Sequence, residues 1–174
     1  ATIGEHSPHS RHAAVIAPGA ARLVDEAAAK QRLAAAGISV PAGRVAEHQA
    51  VPAAAADVGY PITLKALGLA HKREVGAVKV GISNGEELAI ALAAMPRTTA
   101  GYLVEATVTD VVAEVLVTVR RDPPIGWLVS LGFGGVTTEL WNDGAHPLAP
   151  VTTDDVKAAL RTLRSAPLLT GFRG

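Results

Sequence analysis

The chain has 174 residues, a formal net charge of zero, a hydrophobic fraction of 49% and no cysteine. Zero net charge argues against a nucleic-acid-binding protein, because no basic excess is present to neutralise a phosphate backbone. The absence of cysteine excludes disulfides, thiolate zinc sites and cysteine nucleophiles.

The apolar stretches of the sequence are broken by Pro and Gly or are shorter than the ~20 residues that a membrane helix needs. The N-terminal residues lack the charged-then-apolar pattern of a secretory signal. We therefore expect a cytoplasmic protein with neither a membrane nor a nucleic acid as partner. The length predicts one domain, or two small lobes that share a cleft.

Residues 1–19 contain prolines and scattered polar residues. This composition predicts a flexible N-terminal arm. His6, His9 and His12 are three residues apart, a spacing that would align them on a helix. A metal site is one interpretation of this spacing, and a frayed terminal arm is the one that we favour.

From residue 22 to 99, the pattern predicts short helices alternating with strands. Apolar residues at helical spacing begin after residue 22, and Gly37 is the expected C-cap of the first helix. Ser83 or Asn84 is the expected N-cap of a later helix, which Pro96 ends. The predicted order is a helix to residue 37, a strand near 44–46, a helix over 51–58, strands over 62–67 and 78–82, and a helix over 86–95.

Residues 100–174 are richer in predicted strands. These are 103–108, 111–119 and 127–131, followed by a glycine turn at 132–135, a further strand at 137–141 and a helix from 152 or 153 to about 164. Strands that are adjacent in sequence and joined by turns favour antiparallel pairing. The predicted fold class is therefore α+β, with mainly antiparallel sheets.

Two neighbouring segments carry cations that suit a phosphate. Lys65 lies inside an apolar strand, where it either faces outward or reaches a phosphate in a cleft. The loop that follows, residues 68–76, places His71, Lys72 and Arg73 between two glycines. Glycines let backbone amides approach an anion, and a neutral imidazole can act as a nucleophile towards a phosphoryl group. The alternative interpretation of this loop is a solvated hairpin turn.

Four carboxylates accompany these cations. Glu105 ends a predicted strand and is either an exposed acid or a ligand contact. Glu114 lies among apolar neighbours and needs a partner such as Arg120 or a ligand hydroxyl. Glu139 and Asp143 are four residues apart, and two such carboxylates beside phosphates can hold Mg²⁺. Together with the glycine-bounded loop, these residues suit a small anionic nucleotide.

Two familiar nucleotide motifs are missing from the sequence. It contains neither the G-x-x-x-x-G-K-[ST] loop nor the G-x-G-x-x-G fingerprint, so neither a P-loop nor a Rossmann site explains the pattern.

Arg120 is a further candidate, either paired with Asp122 or bound to a phosphate.

Several segments, in their shared order, resemble the ATP-grasp domain of the ADP-forming acetyl-CoA synthetase family. The segments that carry the resemblance, which extends over residues 22–174, are 26–30, 37–41, 59–66, 69–78, 119–123, 131–136, 148–150 and 166–169. The most specific are Leu-Ala-His-Lys-Arg-Glu-Val-Gly-Ala-Val at 69–78 and Val-Arg-Arg-Asp-Pro at 119–123. The chain departs from the family in having Asn142 where lysine is usual and Ile125 where phenylalanine is usual.

The resemblance implies an ATP-grasp fold, in which two α+β lobes hold ATP or ADP with Mg²⁺ between them. The expected lobes are residues 20–99 and 100–174. The second lobe is expected to be truncated, because family members continue into an Asp-x-Asn-Pro strand that completes the metal site.

The resemblance also implies roles for the candidate residues. Lys65 is expected to contact the ATP phosphates, and Glu105 to lie at the hinge that receives adenine and ribose. His71 is expected to carry the phosphoryl group between a distant phosphohistidine and ADP. The remaining candidates are expected to bind nucleotide (Lys72 and Glu114) or metal (Glu139 and Asp143).

The expected function is the ATP/ADP-binding, phosphoryl-transfer module of an ADP-forming acyl-CoA synthetase. Such an enzyme converts an acid, CoA and ATP to acyl-CoA, ADP and phosphate. A CoA-binding and ligase domain or subunit is the expected partner, so the chain would be one part of an acid–thiol ligase. The alternative is a non-catalytic nucleotide-binding regulatory domain, as in protein acetyltransferase fusions, and a third interpretation is an interaction domain that keeps only the fold.

Overall fold

The computed structural model describes residues 23–69, 75–122, 124–134 and 143–171. The chain divides into two compact units, one ending at Thr109 and the other containing the residues from Asp110 onward. Within the described ranges, no helix is long and apolar enough to span a membrane.

Over the residues that the structure describes, the first unit combines three helices with a four-stranded sheet. Its elements are α1 (Glu26–Ala35), β1 (Gly43–Ala46), a 3₁₀ turn (His48–Ala50), α2 (Val51–Val58), β2 (Ile62–Ala66), β3 (Val78–Ile82), α3 (Gly85–Ala94) and β4 (Tyr102–Ala106). The strand order is β1-β4-β2-β3, and every neighbouring pair is antiparallel. The predicted α+β class with antiparallel sheets is confirmed.

The two faces of this sheet have different roles. Because side chains alternate along a strand, Ile62, Leu64 and Val104 point to one face. There they join a core cluster with residues of α2 and α3, including Val51 and Leu88. The residues that alternate with these three along β2 and β4 therefore point to the opposite face of the sheet. This second face carries the candidate site.

The first unit extends further along the chain than the predicted boundary at residue 99. β4 pairs with both β1 and β2, so it is a central strand of the first sheet. β4 is therefore part of the first unit.

In its described residues, the second unit contains a three-stranded sheet and two helices. Its elements are β5 (Val115–Asp122), β6 (Gly126–Phe133), β7 (Gly144–Ala145), α4 (Thr153–Thr162) and α5 (Pro167–Thr170). The strands pair antiparallel in the order β5-β6-β7. α4 packs against β6 and β7, and Val129, Leu131, Phe133 and Leu163 are buried.

Two sequence-based boundaries in this unit were wrong. β5 begins at Val115 rather than at residue 111, so Glu114 precedes the strand instead of lying within it. Gly132 belongs to β6 and not to a turn, because it pairs with Leu116 and Gly144. A Cβ on Gly132 would lie 3.1 Å from the carbonyl oxygen of Asp143, so glycine permits this close strand contact. The predicted strand at 137–141 lies outside the described residues.

The helix ends follow the local sequence signals. Asn84, one of the two residues predicted as N-cap, accepts a hydrogen bond from the Glu87 N–H at 2.9 Å and caps α3. Thr152 and Asp155 form a reciprocal capping box at the start of α4. Gly37 has φ +82°, and the Ile38 N–H donates to the Leu33 carbonyl at 3.0 Å, which closes the end of α1.

Gly37→Ala should lower the free energy of unfolding by about 1–2 kcal/mol, because an L side chain is strained in the left-handed region. A Cβ at Gly37 meets nothing within 4 Å, so the loss reports backbone strain alone. Gly85→Ala is the matched control: its Cβ would lie 3.8 Å from the nearest atom, and its φ is not positive. Urea denaturation should show a loss for the first variant and no loss for the second.

Candidate functional site

The candidate site lies on the second face of the first sheet, where α1 packs. Ala27 of α1 forms a small buried cluster with Leu67 and Leu103. This packing fixes which face of α1 meets the sheet. Glu26 and Lys30, one helical turn apart, consequently meet side chains from β2 and β4.

Four charged side chains meet at this contact, and we call Glu26, Lys30, Lys65 and Glu105 the four-charge cluster. The Lys65 Nζ lies 2.6 Å from Glu26 Oε1 and 2.6 Å from Glu105 Oε1. Lys30 donates a hydrogen bond to Glu105 Oε2 and lies 3.5 Å from Glu26 Oε1. Each carboxylate therefore meets both ammonium groups, and the formal charges sum to zero.

The burial of Glu105 explains why two cations are present. Its side chain is 5% exposed, whereas that of Glu26 is 28% exposed. An ionised carboxylate so far from water is costly unless it is paired and hydrogen-bonded. Lys65 contacts one oxygen and Lys30 the other, so both oxygens of this buried side chain have a charged hydrogen-bond partner.

The same contacts keep Lys65 protonated. Burial alone would lower its pKa, but hydrogen bonds and charge from Glu105 and Glu26 outweigh it and raise the pKa above the ordinary lysine value. An ammonium has three N–H donors, and the two carboxylates take two of them. A lysine that is protonated at neutral pH, with one donor taken by neither carboxylate, suits a phosphate oxygen.

The surroundings of Glu105 leave room for a ligand. Gly43 of β1 is directly opposite Glu105, and a Cβ on Gly43 would lie 3.0 Å from the Glu105 Cβ. A cavity of about 270 Å³ between α1, β1 and β4 is bordered by Lys30, Gln31 and Glu105. Thr63, opposite Glu105 on β2, has its Oγ1 2.9 Å from that of Thr107.

The predicted phosphate loop starts at the end of β2, the strand that carries Lys65. The Leu67 N–H donates to the Gly101 carbonyl at 2.9 Å, and the Thr98 hydroxyl donates to the Leu67 carbonyl at 2.8 Å. Gly68 and Gly76 have φ +73° and +68°, so both ends of the loop adopt the conformation that favours glycine. His71 and Lys72 lie outside the described residues.

Asp143, a predicted metal ligand, stabilises the second unit. Its Oδ1 accepts the Arg164 N–H at 3.0 Å, and its Oδ2 accepts the N–H and hydroxyl of Ser165 at 2.9 and 2.8 Å. The backbone hydrogen bond from Arg164, with those from Ser165, lowers the pKa of Asp143 below its usual range. Glu139 lies outside the described residues. Among the residues that are described, no three acidic or histidine side chains group into a metal site, so the metal role of this pair stays a prediction.

The remaining candidates also lie in the second unit. Glu114 is exposed, and its carbonyl accepts the Gly134 N–H at 2.8 Å beside the start of β5. The Arg120 guanidinium lies 2.8 Å from the carboxylate of the half-buried Asp122. Arg120 itself is exposed, and such surface ion pairs add little stability. The structure therefore brings Lys65 and Glu105 together in the first unit, while the nucleotide role of Glu114 stays a prediction.

Comparison with known proteins identifies the family of this chain. A sequence model of the ATP-grasp domain matches residues 16–174. The β subunit of acetate–CoA ligase (ADP-forming) I from Pyrococcus furiosus is 33% identical over 165 residues, covering 88% of this chain and 71% of that subunit. The chain belongs to the ATP-grasp family of ADP-forming acyl-CoA synthetases.

Relatives within this family differ in size. A trans-feruloyl-CoA synthase from an unknown prokaryotic organism is 33% identical over 175 residues, but the chain covers 25% of its length. Among solved structures, an acetyl-CoA synthetase of Ca. Korarchaeum cryptofilum in complex with coenzyme A and Ca-AMPCP matches with TM-score 0.79 and 29% identity. That match covers 87% of this chain and 71% of the other.

Three residues of the site escaped the sequence analysis as site residues. Glu26 and Lys30 stood out only as part of a helix and of the family pattern, and Gly43 not at all. The signal in the sequence was an acidic and a basic residue four positions apart on a predicted helix. The alanine next to them is buried in the structure. Such pairs are common on exposed helix faces, so the signal does not identify a site without the sheet.

The raised pKa of Lys65 predicts a loss of stability at alkaline pH. Its contribution is fully present below the pKa of an unfolded lysine, about 10.4, and is lost as pH rises through the higher folded pKa. At pH 7, Lys65→Met should lower the free energy of unfolding by about 1–3 kcal/mol. The difference from wild type should shrink above about pH 10.4 in urea titrations. Lys79→Met, on the adjacent strand, is the control, and a difference that does not change with pH would contradict this account.

The lowered pKa of Asp143 predicts the opposite pH dependence. Its contribution is present above the pKa of an unfolded aspartate, about 3.9, and is lost as pH falls through the lower folded pKa. Asp143→Asn should therefore be less stable than wild type at pH 7, and the gap should narrow on acidification. Asp110→Asn, an exposed carboxylate of the same unit, serves as control. Equal acid sensitivity in wild type and Asp143→Asn would show that these hydrogen bonds do not stabilise the fold.

Proposed function

We propose that this chain is the ATP/ADP-binding, phosphoryl-transfer module of an ADP-forming acyl-CoA synthetase. The overall reaction converts an acid, CoA and ATP to acyl-CoA, ADP and phosphate. The module's task within it is to hold the nucleotide and to exchange a phosphoryl group with it. Phosphoryl transfer depends mainly on positioning and charge stabilisation, which a protonated lysine beside a glycine-bounded loop supplies.

The observation that carries this proposal is the state of Lys65. It is an ammonium group with a raised pKa, 19% exposed, and held 2.6 Å from each of two carboxylates. It lies on the strand that leads into the loop between Gly68 and Gly76. In this proposal, the third Lys65 donor binds an oxygen of the nucleotide phosphates.

The relatives support a nucleotide as the ligand. One structure of the Korarchaeum synthetase was obtained with coenzyme A and Mg-AMPPCP, with a phosphohistidine segment pointing towards the nucleotide-binding site; it matches with 28% identity and TM-score 0.70. By analogy, His71 is proposed to exchange a phosphoryl group through its imidazole nitrogen, and Lys72 to neutralise phosphate charge. Glu105 and Glu114 are proposed to contact the rest of the nucleotide.

Magnesium is proposed as the metal, with Glu139 and Asp143 as ligands. The Asp143 carboxylate offers about four lone-pair sites, and three are used by the hydrogen bonds from Arg164 and Ser165. Among the described residues no hydrogen bond takes the fourth site, which fits a cation that prefers one or two carboxylates together with phosphate oxygens and water. When bound, Mg²⁺ would neutralise charge on the phosphates.

The proposed partner is a CoA-binding and ligase domain or subunit. Two of the relatives are β subunits of acetate–CoA ligases, of which the chain covers 71% and 72%. In the larger trans-feruloyl-CoA synthase it covers 25%. A region similar to this chain therefore occurs in this family both as most of a separate subunit and as a portion of a longer chain.

Thermal unfolding with and without Mg·ADP or Mg·ATP tests the proposal. At 100 times the dissociation constant, a ligand that binds only the folded state stabilises it by about 2.7 kcal/mol. Wild type and Lys79→Ala should both show the shift, and Lys65→Ala should lose most of it. The absence of a shift in wild type, or an equal shift in all three proteins, would contradict the proposed site.

A further inference from the structure

Two members of the four-charge cluster have no assigned role in nucleotide binding. Glu26 and Lys30 come from α1 and reach across to side chains on β2 and β4. Their side chains are 28% and 23% exposed, so they are more open to solvent than that of Glu105 at 5%. The buried Ala27 packs α1 against Leu67 and Leu103. This packing fixes the distance of the Glu26 and Lys30 side chains from the sheet.

Lys65 is held from two sides by this arrangement. A lysine side chain is long and flexible, so its ammonium group has no fixed position without partners. Glu26 Oε1 and Glu105 Oε1 each lie 2.6 Å from the Lys65 Nζ. Lys30 hydrogen-bonds to the other Glu105 oxygen, Oε2. The direction of the remaining Lys65 donor is therefore set by two carboxylates, one of which is itself held in place.

We propose that Glu26 and Lys30 are positioning residues of the nucleotide site. Glu26 orients the Lys65 ammonium towards the phosphates, and Lys30 holds Glu105 so that it supports Lys65 from the other side. This inference rests on the proposed function, because it assigns the direction of the Lys65 donor to a bound phosphate.

The neutrality of the cluster separates positioning from simple attraction. With two cations and two carboxylates, the cluster offers a polyanion no net positive charge. Removing the Glu26 charge makes the cluster net positive, so attraction alone predicts tighter nucleotide binding. Positioning predicts weaker binding, because Lys65 loses one of the two contacts that fix its direction. The two accounts therefore predict opposite changes in the nucleotide dissociation constant of Glu26→Gln. Attraction alone predicts a decrease, and positioning predicts an increase.

Calorimetric titration with Mg·ADP measures this change in the dissociation constant. For Glu26→Gln, the dissociation constant should rise about 5-fold, within the range seen for coupled neighbours. Lys30→Met should weaken binding to a similar extent, and Lys30→Arg should restore most of it. Asp57→Asn is the matched control, because it removes a carboxylate paired with Arg44 at 3.4 Å in the same unit. Its dissociation constant should equal that of wild type.

A double-mutant comparison shows whether Glu26 acts through Lys65. In a Lys65→Met background, Glu26→Gln should cause no further change in the dissociation constant, since the group that it positions is gone. A purely structural effect of Glu26 on α1 would persist in that background. If Glu26→Gln does not fold, Glu26→Asp replaces it, because the shorter side chain keeps the charge but withdraws the carboxylate.

The outcomes separate this inference from the proposed function. Unchanged or tighter Mg·ADP binding in Glu26→Gln, with weakened binding in Lys65→Met, would overturn the positioning role alone. An equal loss from Glu26→Gln with and without Lys65 would also overturn it. No Mg·ADP binding by the wild-type protein would overturn the proposed function, and the positioning role with it.

Discussion

The buried carboxylate of Glu105 is the constraint around which the candidate site is organised. With 5% of its side chain exposed, it requires compensation at both oxygens, and the compensating groups come from different elements. Lys65 is supplied by the adjacent strand and Lys30 by α1. One electrostatic requirement therefore joins the first helix to the centre of the sheet and leaves a protonated lysine beside the predicted phosphate loop.

Local signals were sufficient to predict most of the first unit. The caps at Asn84 and Gly37 have the expected geometry, and the strand with Lys65 has the expected bounds to within one residue at its end. The fold class followed from strands that succeed one another in sequence. The choice of family depended on short motifs in a shared order, and the comparisons confirmed it.

The parts that sequence could not supply are long-range contacts. Glu105 and Lys30 are 75 positions apart, and nothing local distinguishes Lys30 from a solvated helix lysine. Gly132 belongs to a glycine-rich segment that predicts a turn, yet it pairs with Leu116 and Gly144 inside a strand. Asp143 has an evident structural role in holding the turn after α4, which a motif alone does not reveal. In each case the deciding neighbour is distant in sequence.

The central claim is that Lys65 is a protonated, oriented donor to the nucleotide phosphates. The most direct test is nitrogen-15 NMR of the lysine ammonium groups, with the Lys65 signal assigned from its loss in Lys65→Arg. The account predicts a Lys65 signal that titrates above the pKa of ordinary lysines and shifts on addition of Mg·ADP. A signal that titrates like an exposed lysine, and that does not respond to Mg·ADP while the protein binds it, would contradict the account.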